Sequence, residues 1–126
     1  MHHSRLAGFI IDCQGIAPSQ SVQFWSAALG MPHKPSQANE DAGYALLETG
    51  AYQLHIETQQ VAHESRVHLD IESDDVEAEA SRLEKLGATR VKKVRNWWVM
   101  QAPTGHRFCV VYCQDVANRP GVNRWD

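Results

Sequence analysis

His68, Asp70 and Glu72 stand at every second position of Val67-His68-Leu69-Asp70-Ile71-Glu72. If that stretch is a strand, the three share one face, because strand side chains alternate. An imidazole with carboxylates on one face can move protons or hold a divalent ion. His55 and Glu57 repeat the same spacing, and Asp70 with Glu72 or Glu57 makes a carboxylate pair for acid–base work. Cys109 adds a thiol three residues from His106, which alone does not make a nucleophile and its base. Each group has a plainer reading beside this one. A single imidazole is often a hydrogen-bonded polar group, carboxylates at a surface are often only solvated, and a free cysteine often packs as a small hydrophobe. No G-x-S-x-G, G-x-x-x-x-G-K or G-x-G-x-x-G occurs, so nucleophile elbows, phosphate loops and dinucleotide fingerprints are absent.

The elements that must position these residues can be read from periodicity. Residues 7–13, Ala-Gly-Phe-Ile-Ile-Asp-Cys, predict a buried strand. Val22, Trp25 and Leu29 recur at helical spacing, with Gly30 as the stop and Pro32 beyond. Residues 33–42 are polar and expected to be loose. Strands are predicted over 44–48 and 52–57 around a turn at Thr49-Gly50, and residues 58–65 read as a linker. The order then repeats. Val67–Glu72 alternates apolar and polar as a half-buried strand does. Asp74 with Glu77 resembles a capping box, and Val76, Ala80 and Leu83 mark the buried face of a helix stopped by Gly87. Strands follow at 90–94, 98–101 and 107–112. Leu29-Gly30 and Leu86-Gly87 lie 57 positions apart, and Thr49-Gly50 and Thr104-Gly105 lie 55 apart, as expected of an internal duplication.

Bulk properties narrow the class. A chain of 126 residues, 43% hydrophobic, can bury a core as one domain without staples. A net charge of −3 with scattered basic residues gives no nucleic-acid footprint, and no apolar run approaches the ~20 residues of a membrane span. The start, Met1-His2-His3-Ser4-Arg5, lacks the apolar stretch of a signal peptide, so a cytoplasmic location is expected. Three cysteines without zinc-finger spacing argue against a disulfide framework. Cys109 and Cys113 on one strand would sit about 13 Å apart, too far for a bridge.

Three stretches together resemble one known group. They are Ser21-Val22-Gln23-Phe24-Trp25 through Leu29-Gly30-Met31, then Val67–Asp75 with Leu86-Gly87-Ala88, and Trp98 through Pro103-Thr104-Gly105-His106-Arg107-Phe108-Cys109. In order and spacing they resemble the glyoxalase/bleomycin-resistance (vicinal oxygen chelate) superfamily, in its glyoxalase-like branch, over about residues 7–113. The resemblance implies an α+β fold of two tandem β-α-β-β-β units, with curved mixed sheets cupping a small organic molecule and helices on the outer face. Unit one is expected at about 7–58, unit two at about 66–113, and residues 114–126 form a tail in one domain spanning 1–126. Homodimers are usual in the group, so a homodimer is expected, without nucleic-acid or membrane partners.

The resemblance also implies which side chains line the cup: His55, Glu57, His68 and Asp70 by strand alternation, with Trp98 and Cys109. Metal-binding members ligate from positions that match Gly8, one cup residue of the strand from Tyr52, His68 and Cys109. Gly8 has no side chain to offer, and Cys109 stands where glutamate is usual. His55, His68 and Cys109 would then make a soft site for one divalent ion, whether zinc, nickel, manganese or iron. Two functions follow from the resemblance. One is a lyase, isomerase or dioxygenase in which the ion binds two neighbouring substrate oxygens. The other is a metal-free protein of the bleomycin-resistance type that sequesters its ligand.

Overall fold

A computed structural model of the chain describes residues 1–126 and contains two compact bodies, residues 8–67 and residues 1–7 with 68–126. One strand, β1 (His2–Gln14), supplies its last seven residues to the first body and its beginning to the second.

In the body of residues 8–67, β1 leads into helix α1 (Pro18–Leu29), which starts on a proline and ends on a left-handed Gly30. Strand β2 (His33–Lys34), helix α2 (Gln37–Asp41), β3 (Tyr44–Leu47) and β4 (His55–Val61) follow. The sheet order is β2-β3-β4-β1, and β4 runs parallel to β1 as a crossover helix requires. Ile11, Cys13, Val22, Ala45, Leu47 and Ile56 form the core, with Trp25 packed against it. Three expectations change here. The polar stretch 33–42 is ordered as β2 and α2, although α2 buries nothing. The second hairpin strand starts at His55, because Gly50–Tyr52 is a 3-10 turn closed by the Thr49 hydroxyl on the Leu54 carbonyl. Leu29, expected on the buried stripe, is 42% exposed, while Trp25 and Met31 pack on the core.

The other body repeats the pattern: β5 (Arg66–Ser73), helix α3 (Val76–Lys85), β6 (Thr89–Val94), β7 (Trp97–Gln101) and β8 (Arg107–Tyr112), ordered β5-β8-β7-β6 with β5 and β8 parallel. The fold is therefore α+β, built from two β-α-β-β-β units as the sequence predicts. Val76, Ala80 and Leu83 of α3 pack on Met100, Phe108 and Val110. The helix cap is Asp75, whose carboxylate accepts the Ala78 N–H at 2.9 Å. Asp74, the expected cap, accepts from His3 instead, at both the backbone N–H and the ring.

The tail is folded onto its own body. Val116 is fully buried, and β9 (Asn123–Trp125) pairs with His2–Ser4 of β1. The Trp125 indole donates to the Ser4 hydroxyl and lies under the Arg82 guanidinium at 3.8 Å. Arg82 in turn makes two hydrogen bonds to the buried Glu79, which also meets His2 at 2.9 Å. Burial by itself would raise the Glu79 carboxyl, and these partners outweigh it and hold the carboxyl below its ordinary range. No helix is long and apolar enough to cross a membrane.

One consequence is measurable in acid. Hydrogen bonds from Lys93, then Arg90 and Trp98, hold the Glu77 carboxyl at about 2, against an ordinary 4.5. A carboxyl depressed in the folded state stabilises above its unfolded value, and that stabilisation is lost as pH falls through the folded one. Between about pH 4.5 and 2 the wild type should lose stability that Glu77→Gln has already lost. Melting curves across that window should converge for the two proteins at the acid end. Parallel curves would show that Glu77 contributes nothing to acid sensitivity.

Candidate functional site

Strands β5 and β8 hold the candidate site. In their parallel register Asp70 faces Cys109, Ile71 faces Val110 and Leu69 faces Phe108. Ile71, Phe108 and Val110 pack toward α3, so alternation sends His68, Asp70, Glu72 and Cys109 to the opposite face. There, one donor atom each from His68, Asp70 and Cys109 lies within 4.8 Å of the others. His68 Nε2 stands 3.7 Å from Asp70 Oδ1 on the same strand. The Asp70 carboxylate is buried and the His68 ring is only 15% exposed, so these are not ordinary solvated surface groups.

Next along β5, Glu72 is buried and accepts a hydrogen bond from Arg5 Nε at 2.7 Å, while Arg5 Nη1 donates to the Pro120 carbonyl at 2.8 Å. The tail thus closes over a neutralised carboxylate two positions from Asp70. Arg5 neutralises the Glu72 charge within the sheet, and Asp70 faces the imidazole and the thiol.

The three cysteines differ in environment. Cys13 belongs to the core of residues 8–67, where burial pushes its thiol up. Cys113 is pushed up to about 11, first by burial and then by its hydrogen bond to Asp115 and the Glu72 charge. A metal is bound by a thiolate, so both environments disfavour ligation. Cys109 is the cysteine with an imidazole and a carboxylate beside it.

The other expected residues are placed as follows. His55 and Glu57 are on β4, with Nε2 and Oε2 3.3 Å apart, on the face opposite the buried Ile56. A cavity of about 220 Å³ opens beside His55, lined also by Lys34, Leu46, Glu48 and Thr49. Gly8 is the register partner of His55, and a β-carbon there would fall 1.9 Å from the His55 carbonyl oxygen. Its lack of a side chain is thus imposed by strand packing. Trp98 corrects the expectation that it floors a pocket. Its indole donates to Glu77 of α3 at 2.7 Å, beneath Arg90 and Lys93, on the helix-bearing face. The β7 residue in register with Cys109 is Val99. The alternation Trp98–Met100 carried the signal, since Met100 is a core residue and shares a face with Trp98. Arg5 gave no such signal, because its partner lies 67 positions away.

Solved structures share this fold. A hypothetical protein of Bacillus halodurans C-125 matches at a TM-score of 0.64 and 14% identity, over 87% of this chain and 94% of that one. Methylmalonyl-CoA epimerase of Mycobacterium tuberculosis matches at 0.59 and 17%, over 90% and 93%. The 2,2',3-trihydroxybiphenyl 1,2-dioxygenase of Sphingomonas wittichii RW1 matches at 0.59 and 16%, over 86% of this chain and 40% of that one. No curated protein matches the sequence. Repeated β-α-β-β-β units of this kind define the vicinal oxygen chelate class of proteins. Within it, the chain belongs to the glyoxalase-like domain family, whose model matches residues 8–111.

Proposed function

We propose that this protein binds a small organic molecule beside a divalent metal held by His68, Asp70 and Cys109, and acts on it as a lyase, isomerase or dioxygenase. The observation that carries the reading is the convergence of those three donors within 4.8 Å on one sheet face. The donor set fits a borderline-soft ion: one imidazole nitrogen, one carboxylate oxygen and one thiolate, with zinc preferred to magnesium or calcium. Asp70 takes the place in the set that the sequence assigns to His55. Three protein ligands leave coordination positions for a ligand, as catalytic sites do. The ion would supply Lewis-acid stabilisation of negative charge developing on substrate oxygens. The chain's own contribution is to fix the donors: β5 and β8 hold Asp70 opposite Cys109, and burial of Asp70 excludes water from its carboxylate.

Elemental analysis of protein purified without chelator or added metal tests this. The expected result is close to one equivalent of zinc, nickel, manganese or iron. His68→Ala should weaken retention by about a hundredfold or more, since outer-shell losses alone cost 10- to 100-fold. The melting temperature of the metal-free protein should barely move. Metal-free protein that still binds small molecules would instead favour sequestration of the bleomycin-resistance type. Gly8 gives that alternative its support, because the chain cannot regain a ligand there.

The protein is also proposed to work as a homodimer in the cytoplasm, in line with its class and with three cysteines left unbridged. Analytical ultracentrifugation should show a dimer at micromolar concentration, and a monomer at the highest concentration reached would refute it.

A further inference from the structure

A second cavity, of about 430 Å³, opens in the body of residues 8–67 between α1, β2 and α2. Ser19, Gln23 and Ser26 line it from one face of α1, with Val22 as an apolar part of the wall. His33 and Glu40 line it from the other side. His33 Nε2 is buried and makes no hydrogen bond. Glu40 Oε1 lies 3.5 Å from it, close enough for charge attraction but without hydrogen-bond geometry. The cavity is thus bordered by one carboxylate and by no lysine or arginine to balance it.

We propose that this crevice is a ligand site for a small primary amine, bound as its ammonium ion. The lining is rich in acceptors. Glu40 offers a carboxylate, and the buried His33 Nε2 sits behind it at 3.5 Å. Ser26 already donates its hydroxyl proton to the Met31 carbonyl, so its oxygen is left to accept. An ammonium has three N–H donors and no acceptor, matching that set, and Val22 provides an apolar surface for the carbon stem. No lysine or arginine lines the cavity, so a carboxylate or phosphate would meet Glu40 uncompensated. A metal ion would find only His33 and Glu40, short of about three ligands. Water could occupy part of the space, but the cavity exceeds the ~30 Å³ share of one water many times over.

The site is separate from the His68, Asp70 and Cys109 cluster in its residues and its chemistry, so its test does not depend on the metal. The ¹⁵N-labelled full chain is titrated with butylammonium, butanol and butyrate, following backbone and imidazole resonances. Butylammonium should produce saturable shifts at Gln23, Ser26 and His33, and the two other probes should not. Glu40→Gln removes a charge-assisted hydrogen bond at a partly exposed position and should weaken butylammonium binding by about tenfold or more. Ser26→Ala should weaken it less and leave the selectivity unchanged. The proposal is overturned if no probe gives saturable shifts, if all three shift the same residues alike, or if Glu40→Gln leaves the affinity unchanged.

Discussion

Gly8→Ala should cost this protein about 3–5 kcal/mol. The β-carbon would meet the His55 backbone oxygen at 1.9 Å, and strand backbone cannot swing aside as a long side chain can. The position also has φ of +157°, at the edge of the region that L-residues avoid. Overpacking of about 1–3 kcal/mol and backbone strain of similar size would both fall on the β1–β4 ladder. Against a typical total of 5–15 kcal/mol that is a large fraction. Urea denaturation measures it, with Gly15→Ala as control, because Gly15 also has positive φ but no neighbour within 4 Å of a built β-carbon. Equal losses at the two sites would mean that the close approach is relieved cheaply. Larger side chains should be worse still, so a ligand cannot be restored there by a single substitution.

The second large effect lies at the buried ion pair. Arg5→Met should destabilise by about 3–5 kcal/mol, because it strands the Glu72 carboxylate inside the sheet. The double variant Arg5→Met, Glu72→Leu should recover most of that, since a pair of well-packed apolar side chains often replaces a buried ion pair at little cost. The two single variants and the double one form a thermodynamic cycle. A single-variant loss below about 1 kcal/mol would mean that water reaches Glu72 once Arg5 is gone.

The fold was readable because its signals are local. Alternation in Val67–Glu72, the spacing of Val76, Ala80 and Leu83, and the paired Leu-Gly and Thr-Gly steps each act over a few residues, and the structure follows them. At the site, alternation puts His68 and Asp70 on the face opposite Ile71, which packs with the α3 core. It could not show that Asp70 is buried, because alternation gives a face and not a depth. Trp98 was misplaced through its size, when its parity with Met100 already assigned it to α3. The tail gave no periodic signal at all, and its order comes from partners at the far end of the chain, such as Ser4 for Trp125.

The sharing of β1 sets an order of events during synthesis. One body closes from a continuous stretch, residues 8–67, and can form as soon as that stretch has left the ribosome. The other takes residues 1–7 from the opposite end of the chain, so its first strand emerges first and is completed last. Until residues 72–79 arrive, His2, His3 and Arg5 have none of the side-chain partners that they later meet, Glu79, Asp74 and Glu72. A nascent chain stalled near residue 70 should therefore expose a bare strand edge to chaperones at the start of β1.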